Sequence, residues 1–224
     1  MKIILTALLI SFLIPTSKLI SQQNYNDSVI FETIEETSAF YQWQYFWKQL
    51  WKDFSFNDFY LESEKDITPI PKRNISFKSL QANNELLLTF FSPNGMRAIN
   101  PFSYYEVYIH DSIYVLGGDD YNAIELSDFA KDSSYYIFPL YNFGPTLNGI
   151  AWLSDSLFII VGAVFKELYS KEYLPLIYIF NIDIQKVRTY KGKEFLLTEE
   201  LINKMNFFIN EPKLIFSYGR KIKK

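Results

Sequence analysis

The sequence predicts a mainly β, α+β domain built from two antiparallel β-meanders, flanked by an N-terminal and a C-terminal helix. Three observations predict it. Aromatic residues are plentiful, with Phe 21, Tyr 17 and Trp 4 in 224 residues, and their bulk suits pleated, half-buried surfaces. Short runs rich in Ile, Val, Tyr and Phe recur between about 86 and 192, separated by Gly, Asn, Asp and Ser, which is the pattern of antiparallel hairpins. On either side lies a segment whose apolar residues return every three or four positions, as on one face of a helix. Hydrophobic residues make up 49% of the chain, enough to fill the core of one ordinary domain.

The first residues read "MKIILTALLISFLIPTSKLISQQ". One early charge at Lys2, an apolar run from Ile3 to Ile14, Pro15, and then mostly small or polar residues follow the order of a secretory signal peptide, and the run is too short to span a bilayer. Residues 1–21 are therefore expected to be a signal peptide cleaved near Ser21, leaving 22–224 as a single β-rich domain. Leu19 occupies a position where signal peptidases favour a small residue, so an uncleaved anchor is the alternative. The chain has no cysteine, which excludes both a disulfide framework and attachment through a lipidated cysteine. The expected address is the periplasm or the medium, with no lipid anchor and no transmembrane span in the mature chain. A formal net charge of -3 argues against nucleic acid as a partner. The basic tail "GRKIKK" reads as a solvated end, with contact to an anionic surface as the alternative.

Phe40, Trp43, Trp47, Leu50 and Phe54 are spaced as the stripe of an amphipathic helix over about 34–53, with Thr33 and Glu36 placed for a capping box at its start. The stripe is expected to pack on a sheet; a platform for a sugar or a membrane surface is the alternative. From Phe56 to Asn84 the periodicity fades. Prolines at alternate positions in "DITPIPKRNISF" indicate a connecting segment with one edge strand near Ile75.

The meanders are expected over about 86–141 and 149–192. In the first, strand-like runs at Leu86 to Ser92, Met96 to Pro101, Tyr104 to Ile109, Ile113 to Leu116, Ala123 to Leu126 and Tyr135 to Leu140 surround the turn Pro93-Asn94-Gly95. In the second, Gly149 to Leu153, Leu157 to Val164, Leu176 to Asn181 and Lys186 to Tyr190 follow the same order around Ser154-Asp155-Ser156. At the C-terminal end "TEELINKMNFFI" predicts a helix over about 198–209, capped at Thr198, with Leu201, Met205 and Phe208 on one face.

The residues "FSPNG", "ELSDFAKDSSYYIF" and "AWLSDSLFIIVG" resemble the blades of WD40-like and TolB-like β-propellers. The wider run over 86–192 is similar to exported Bacteroidetes-type proteins. The resemblance implies a propeller-like repeat that presents a surface or edge to a protein or glycan partner. Two repeats are visible where a closed propeller needs four to eight blades, so a complete propeller is not expected.

No motif of catalysis stands out. His110 is the single histidine, and its neighbours Asp111 and Ser112 alternate across a strand instead of converging; it reads as a loop or surface residue. One histidine without cysteine cannot assemble a conventional zinc site. In "GGDDYN", Asp119, Asp120 and Asn122 offer oxygen ligands suited to calcium, but the spacing of a calcium loop is missing and hairpin-turn chemistry explains the stretch. Asp128, Asp132 and Asp155 read as turn residues, and Glu125 as an outward strand position. No cofactor is expected. The functional expectation is an exported, non-catalytic interaction or envelope-associated module of unspecified oligomeric state. Its alternative is a small carboxylate-dependent hydrolase acting on envelope or extracellular glycan, with Asp119, Asp120 and Glu125 as its acids. The two diverge in space, since the enzyme requires those acids to share a concavity with the aromatics of the 34–53 helix.

Overall fold

The computed structural model describes residues 27–74, 88–103, 105–110, 113–118, 122–140, 146–167, 172–193, 195–196 and 214–216. The expected signal peptide (1–21) and C-terminal helix (198–209) lie outside them. The fold is mainly β, with two antiparallel five-stranded sheets, helices at the N-terminal side, and neither a closed barrel nor a complete propeller.

The 34–53 helix is two helices. α1 spans Asp27–Glu36 and α2 spans Tyr41–Leu50, joined through a short 3-10 turn at Ser38–Phe40. The break falls at Thr37, whose backbone is extended (φ -78°, ψ 116°). Thr33 does not cap a helix start; its hydroxyl donates to the Val29 carbonyl one turn back within α1, and Thr37 does the same to Thr33. Gln44 of α2, almost fully buried, donates its amide to the carbonyls of Ile34 and Glu35. It thereby satisfies the open C-terminal end of α1.

β1 (Tyr60–Asp66) and β2 (Ile70–Asn74) follow, where one edge strand near Ile75 was expected. Next come β3 (Phe90–Phe91), β4 (Arg97–Asn100), β5 (Tyr105–His110), β6 (Ile113–Gly118), β7 (Asn122–Asp128) and β8 (Ser133–Leu140). The second meander is β9 (Thr146–Trp152), β10 (Leu157–Phe165), β11 (Glu172–Asn181) and β12 (Lys186–Lys191), with the short β13 (Phe195–Leu196) beside β11. β14 (Leu214–Phe216) closes the order.

One sheet runs β1-β12-β11-β10-β9 and the other β2-β8-β7-β4-β3. β4 pairs directly with β7, so the intervening β5-β6 hairpin leaves the first meander and forms a small sheet with β14, which joins β6 in parallel. β1 and β2 complete both large sheets from outside, as the outermost strand of each.

The β9–β12 sheet is covered on both faces. Leu157, Ile159, Val161 and Ala163 of β10, with Ile177 and Ile179 of β11, face α1, α2 and the aromatics Phe40, Trp43, Trp47, Phe54, Phe56 and Phe59. The alternate residues Phe158, Ile160, Leu176, Tyr178 and Phe180 face Ile99, Ile124 and Leu126 of the other sheet. A strand buried on both faces reads as an unbroken apolar run, as "LFIIVGAVF" does. The aromatic stripe of the helices is therefore core, as its packing on a sheet requires. Trp43 also donates its indole N–H to the Gly162 carbonyl at 2.9 Å, where the β9–β10 register shifts. Gly149 lets the 3-10 turn come close: a Cβ there would meet Val161 Cγ2 at 3.0 Å and the Ala39 carbonyl at 3.2 Å.

Candidate interaction surface

Four hairpin turns gather at one end of the two sheets. Register places them there, since Arg97 faces Asp128 across β4 and β7, and Leu157 faces Asn181 across β10 and β11. The turns are 93–96, 129–132, 153–156 and 182–185.

Three of them are closed by the same device, a side-chain oxygen that accepts backbone N–H groups two or three residues ahead. Asn94 Oδ1 accepts from Met96 N at 2.8 Å and from the Ser92 hydroxyl. Ser154 Oγ accepts from the N–H groups of Ser156 and Leu157, and Asn181 Oδ1 from those of Asp183 and Ile184. Gly95 takes a left-handed φ of 70°, and Asp132 and Gln185 lie at φ 48° and 53°.

The turns are also bonded to one another. The Asn94 N–H donates to Asp155 Oδ1 at 2.9 Å. Arg97 Nη1 donates to the Asp155 carbonyl at 3.1 Å and to Asp183 Oδ1 at 3.2 Å. Phe129 N donates to the Met96 carbonyl, and its ring stacks on Phe91 at 5.9 Å. Slightly deeper, Trp152 Nε1 donates to the Phe90 carbonyl at 2.9 Å, joining β9 to β3. The two similar stretches "FSPNG" and "LSDS" thus touch. Around this fixed frame Met96 and Ile184 are about half exposed (46% and 52%), beside exposed Pro93, Asn94, Lys131, Asp132, Asp183 and Gln185. Loops held by a rigid scaffold, with apolar side chains set among polar ones, are the usual form of a recognition face.

The residues singled out from sequence are placed elsewhere. His110 ends β5 opposite Ile113. Asp119 and Asp120, with Asp111 and Ser112, lie outside the described residues, and Asn122 opens β7 opposite Leu140. Asp128, Asp132 and Asp155 do occupy turns or strand ends.

Glu125 is corrected: it is buried (1% exposed), not outward into solvent. Ile124 and Leu126 point toward the β9–β12 sheet, so Glu125 points to the opposite face, beside Asn100 and Tyr136 by register. Its Oε2 is 2.6 Å from the Lys72 ammonium, which also stands 5.0 Å over the Tyr136 ring. Two sheet layers separate it from the helix aromatics, so it shares no concavity with them. Among the described residues no group of three metal-capable side chains converges, and no helix is long and apolar enough to cross a membrane.

Arg97, Asp183, Met96 and Ile184 were not singled out by the sequence. The turn signals located their loops, but nothing local says that loops from two meanders meet. No family model matches the chain, and no curated protein or solved structure matches it either.

Proposed function

We propose that the chain is an exported, non-catalytic interaction module that presents its turn-lined end to a protein partner in the cell envelope or the medium. The observation that supports it is the bonding of turns from both meanders into one fixed face through Asn94, Asp155, Arg97 and Asp183. Such a frame lowers the ordering cost of binding, and the exposed Met96 and Ile184 supply apolar contact within a polar rim. Export rests on the order of the first 21 residues. The hydrolase reading draws no support from Glu125, whose carboxylate is buried against Lys72.

The test uses three baits against envelope extract: wild type, Met96→Glu/Ile184→Glu, and Tyr45→Ser on the far exposed face of α2, each first checked for an unchanged urea midpoint. A defined protein held by wild type and Tyr45→Ser and lost from the double variant supports the reading. Equal retention by all three, or retention of nothing, overturns it. Capture of a glycan in place of a protein would transfer the face to carbohydrate recognition.

A further inference from the structure

We propose that residues 60–74 form a single strap, β1 and β2 together, which opens and recloses as one unit while the rest of both sheets stays folded.

The strap is the outermost strand of each large sheet at once, with three residues between its two halves. Its attachment differs from that of every inner strand. β10 and β11 are buried on both faces, whereas β1 is exposed along almost its whole length and Ile70 and Pro71 of β2 are exposed. Across residues 60–72 the one apolar side chain in the core is Ile67, 4% exposed, set between the sheets.

Besides its backbone ladder and the Ile67 side chain, the strap is held by charge. Glu62, Glu64 and Asp66 pair with Lys191, Arg188 and Lys186 of β12, and Lys72 pairs with Glu125 of β7. The three β1 pairs are solvent-facing and individually weak. Both halves also carry a register irregularity, at Leu61/Ser63 and Pro71/Arg73, which interrupts the ladder. Few apolar contacts and an exposed ladder mark segments that open below the global unfolding free energy.

The coupling of the halves comes from Ile67. Its side chain is their common anchor, and its N–H donates to the Gln185 carbonyl at 2.8 Å. With so short a link, β1 cannot leave β12 without drawing Ile67 out, and that withdraws the support of β2. Opening also frees Gln185, so the strap and the 182–185 turn of the interaction surface move together.

Hydrogen exchange read by mass spectrometry on the full chain tests this. The variant Glu62→Gln/Glu64→Gln/Asp66→Asn alters only the β1 side. The expected result is a fall of about five-fold in protection of the β12 amides facing β1, matching three weak surface pairs, with a fall of similar size in the β8 amides facing β2 and none in β10 or β11. A change confined to β1 and β12 overturns the single unit. Changes in β10 and β11 in step with it overturn the separate opening. The converse uses Ser63→Cys/Thr189→Cys, directly opposed residues in a chain with no other cysteine. Once oxidised in the charge-depleted variant, it must restore protection on β8; failure to do so equally overturns the strap.

Discussion

Asp155 accepts the Asn94 N–H at 2.9 Å, so a turn of the second meander completes a turn of the first. Asp155→Ala removes that acceptor while leaving its carbonyl for Arg97. The expected loss is about 1 kcal/mol, the ordinary worth of such a bond near the surface. It is read from the urea midpoint, with Asp155→Asn intermediate. No change would mean that Arg97 alone carries the junction.

Trp43→Phe keeps most of the buried ring but strips the donor from the Gly162 carbonyl. A buried acceptor left unsatisfied costs about 1–3 kcal/mol, and Trp43→Ala, which also opens a cavity, costs about 3–5 kcal/mol. Thermal or urea unfolding of the two variants separates the polar from the packing contribution.

Gly192→Ala is expected to destabilise by about 1–3 kcal/mol through overpacking, because the new Cβ would lie 2.6 Å from Pro175 Cγ and 3.1 Å from Phe59 Cζ. Gly95→Ala meets nothing within 4 Å, and its cost comes from the left-handed backbone alone, about 1 kcal/mol. Chemical denaturation of each variant checks both figures, and equal losses would refute the steric account of Gly192.

Lys72→Met removes the ammonium that lies 2.6 Å from the buried Glu125 Oε2, and Glu125→Gln removes the charge that Lys72 meets. Each single change is expected to cost about 3 kcal/mol, and the double change less than their sum. A double-mutant cycle measures the coupling. Additive losses would show that the two groups do not sense each other.

Burial holds the Tyr178 hydroxyl far above the ordinary tyrosine value of 10.0. The folded state thus keeps the phenol protonated after the unfolded chain would ionise, so its contribution is intact below pH 10 and declines as pH rises beyond it. The urea midpoint is expected to fall as pH rises above 10, and Tyr178→Phe to flatten that fall. An unchanged slope in the variant would assign the alkaline loss to other groups.

Much of the β architecture was legible because inner strands carry their signal in their own residues. "LFIIVGAVF" and "EYLPLIYIFN" are largely apolar on both faces, and the Asp-Ser turn at 155–156 marks the start of the first. β1 was not legible: "YLESEKD" is charged on both faces because it is an exposed edge held by ion pairs, a state that leaves no hydrophobic period. The helix break at Thr37 was hidden for a different reason. The spacing of Phe40, Trp43 and Trp47 is the same whether or not the helix starts anew just before it.

Glu125 shows the limit most plainly. Alternation in "AIELSD" correctly sets Ile124 and Leu126 on one face and Glu125 on the other, but a strand does not record whether its second face meets water. Its cation, Lys72, comes from a proline-bearing segment 53 residues earlier. The candidate surface has the same character, since each turn is local and their meeting is not.

β1 and the helices precede by a long stretch of chain the strands that receive them, β12 and β10. Arg188 follows Glu64 by 124 residues, and Gly162 follows Trp43 by 119. A chain that emerges N-terminus first therefore carries Phe40, Trp43 and Trp47 uncovered until the second meander has been delivered. Burial of these aromatics waits on strands made much later, and long-range closure of this kind is slow. The newborn chain is thus most exposed to aggregation or premature capture in the interval between the appearance of its aromatic helices and the arrival of β12.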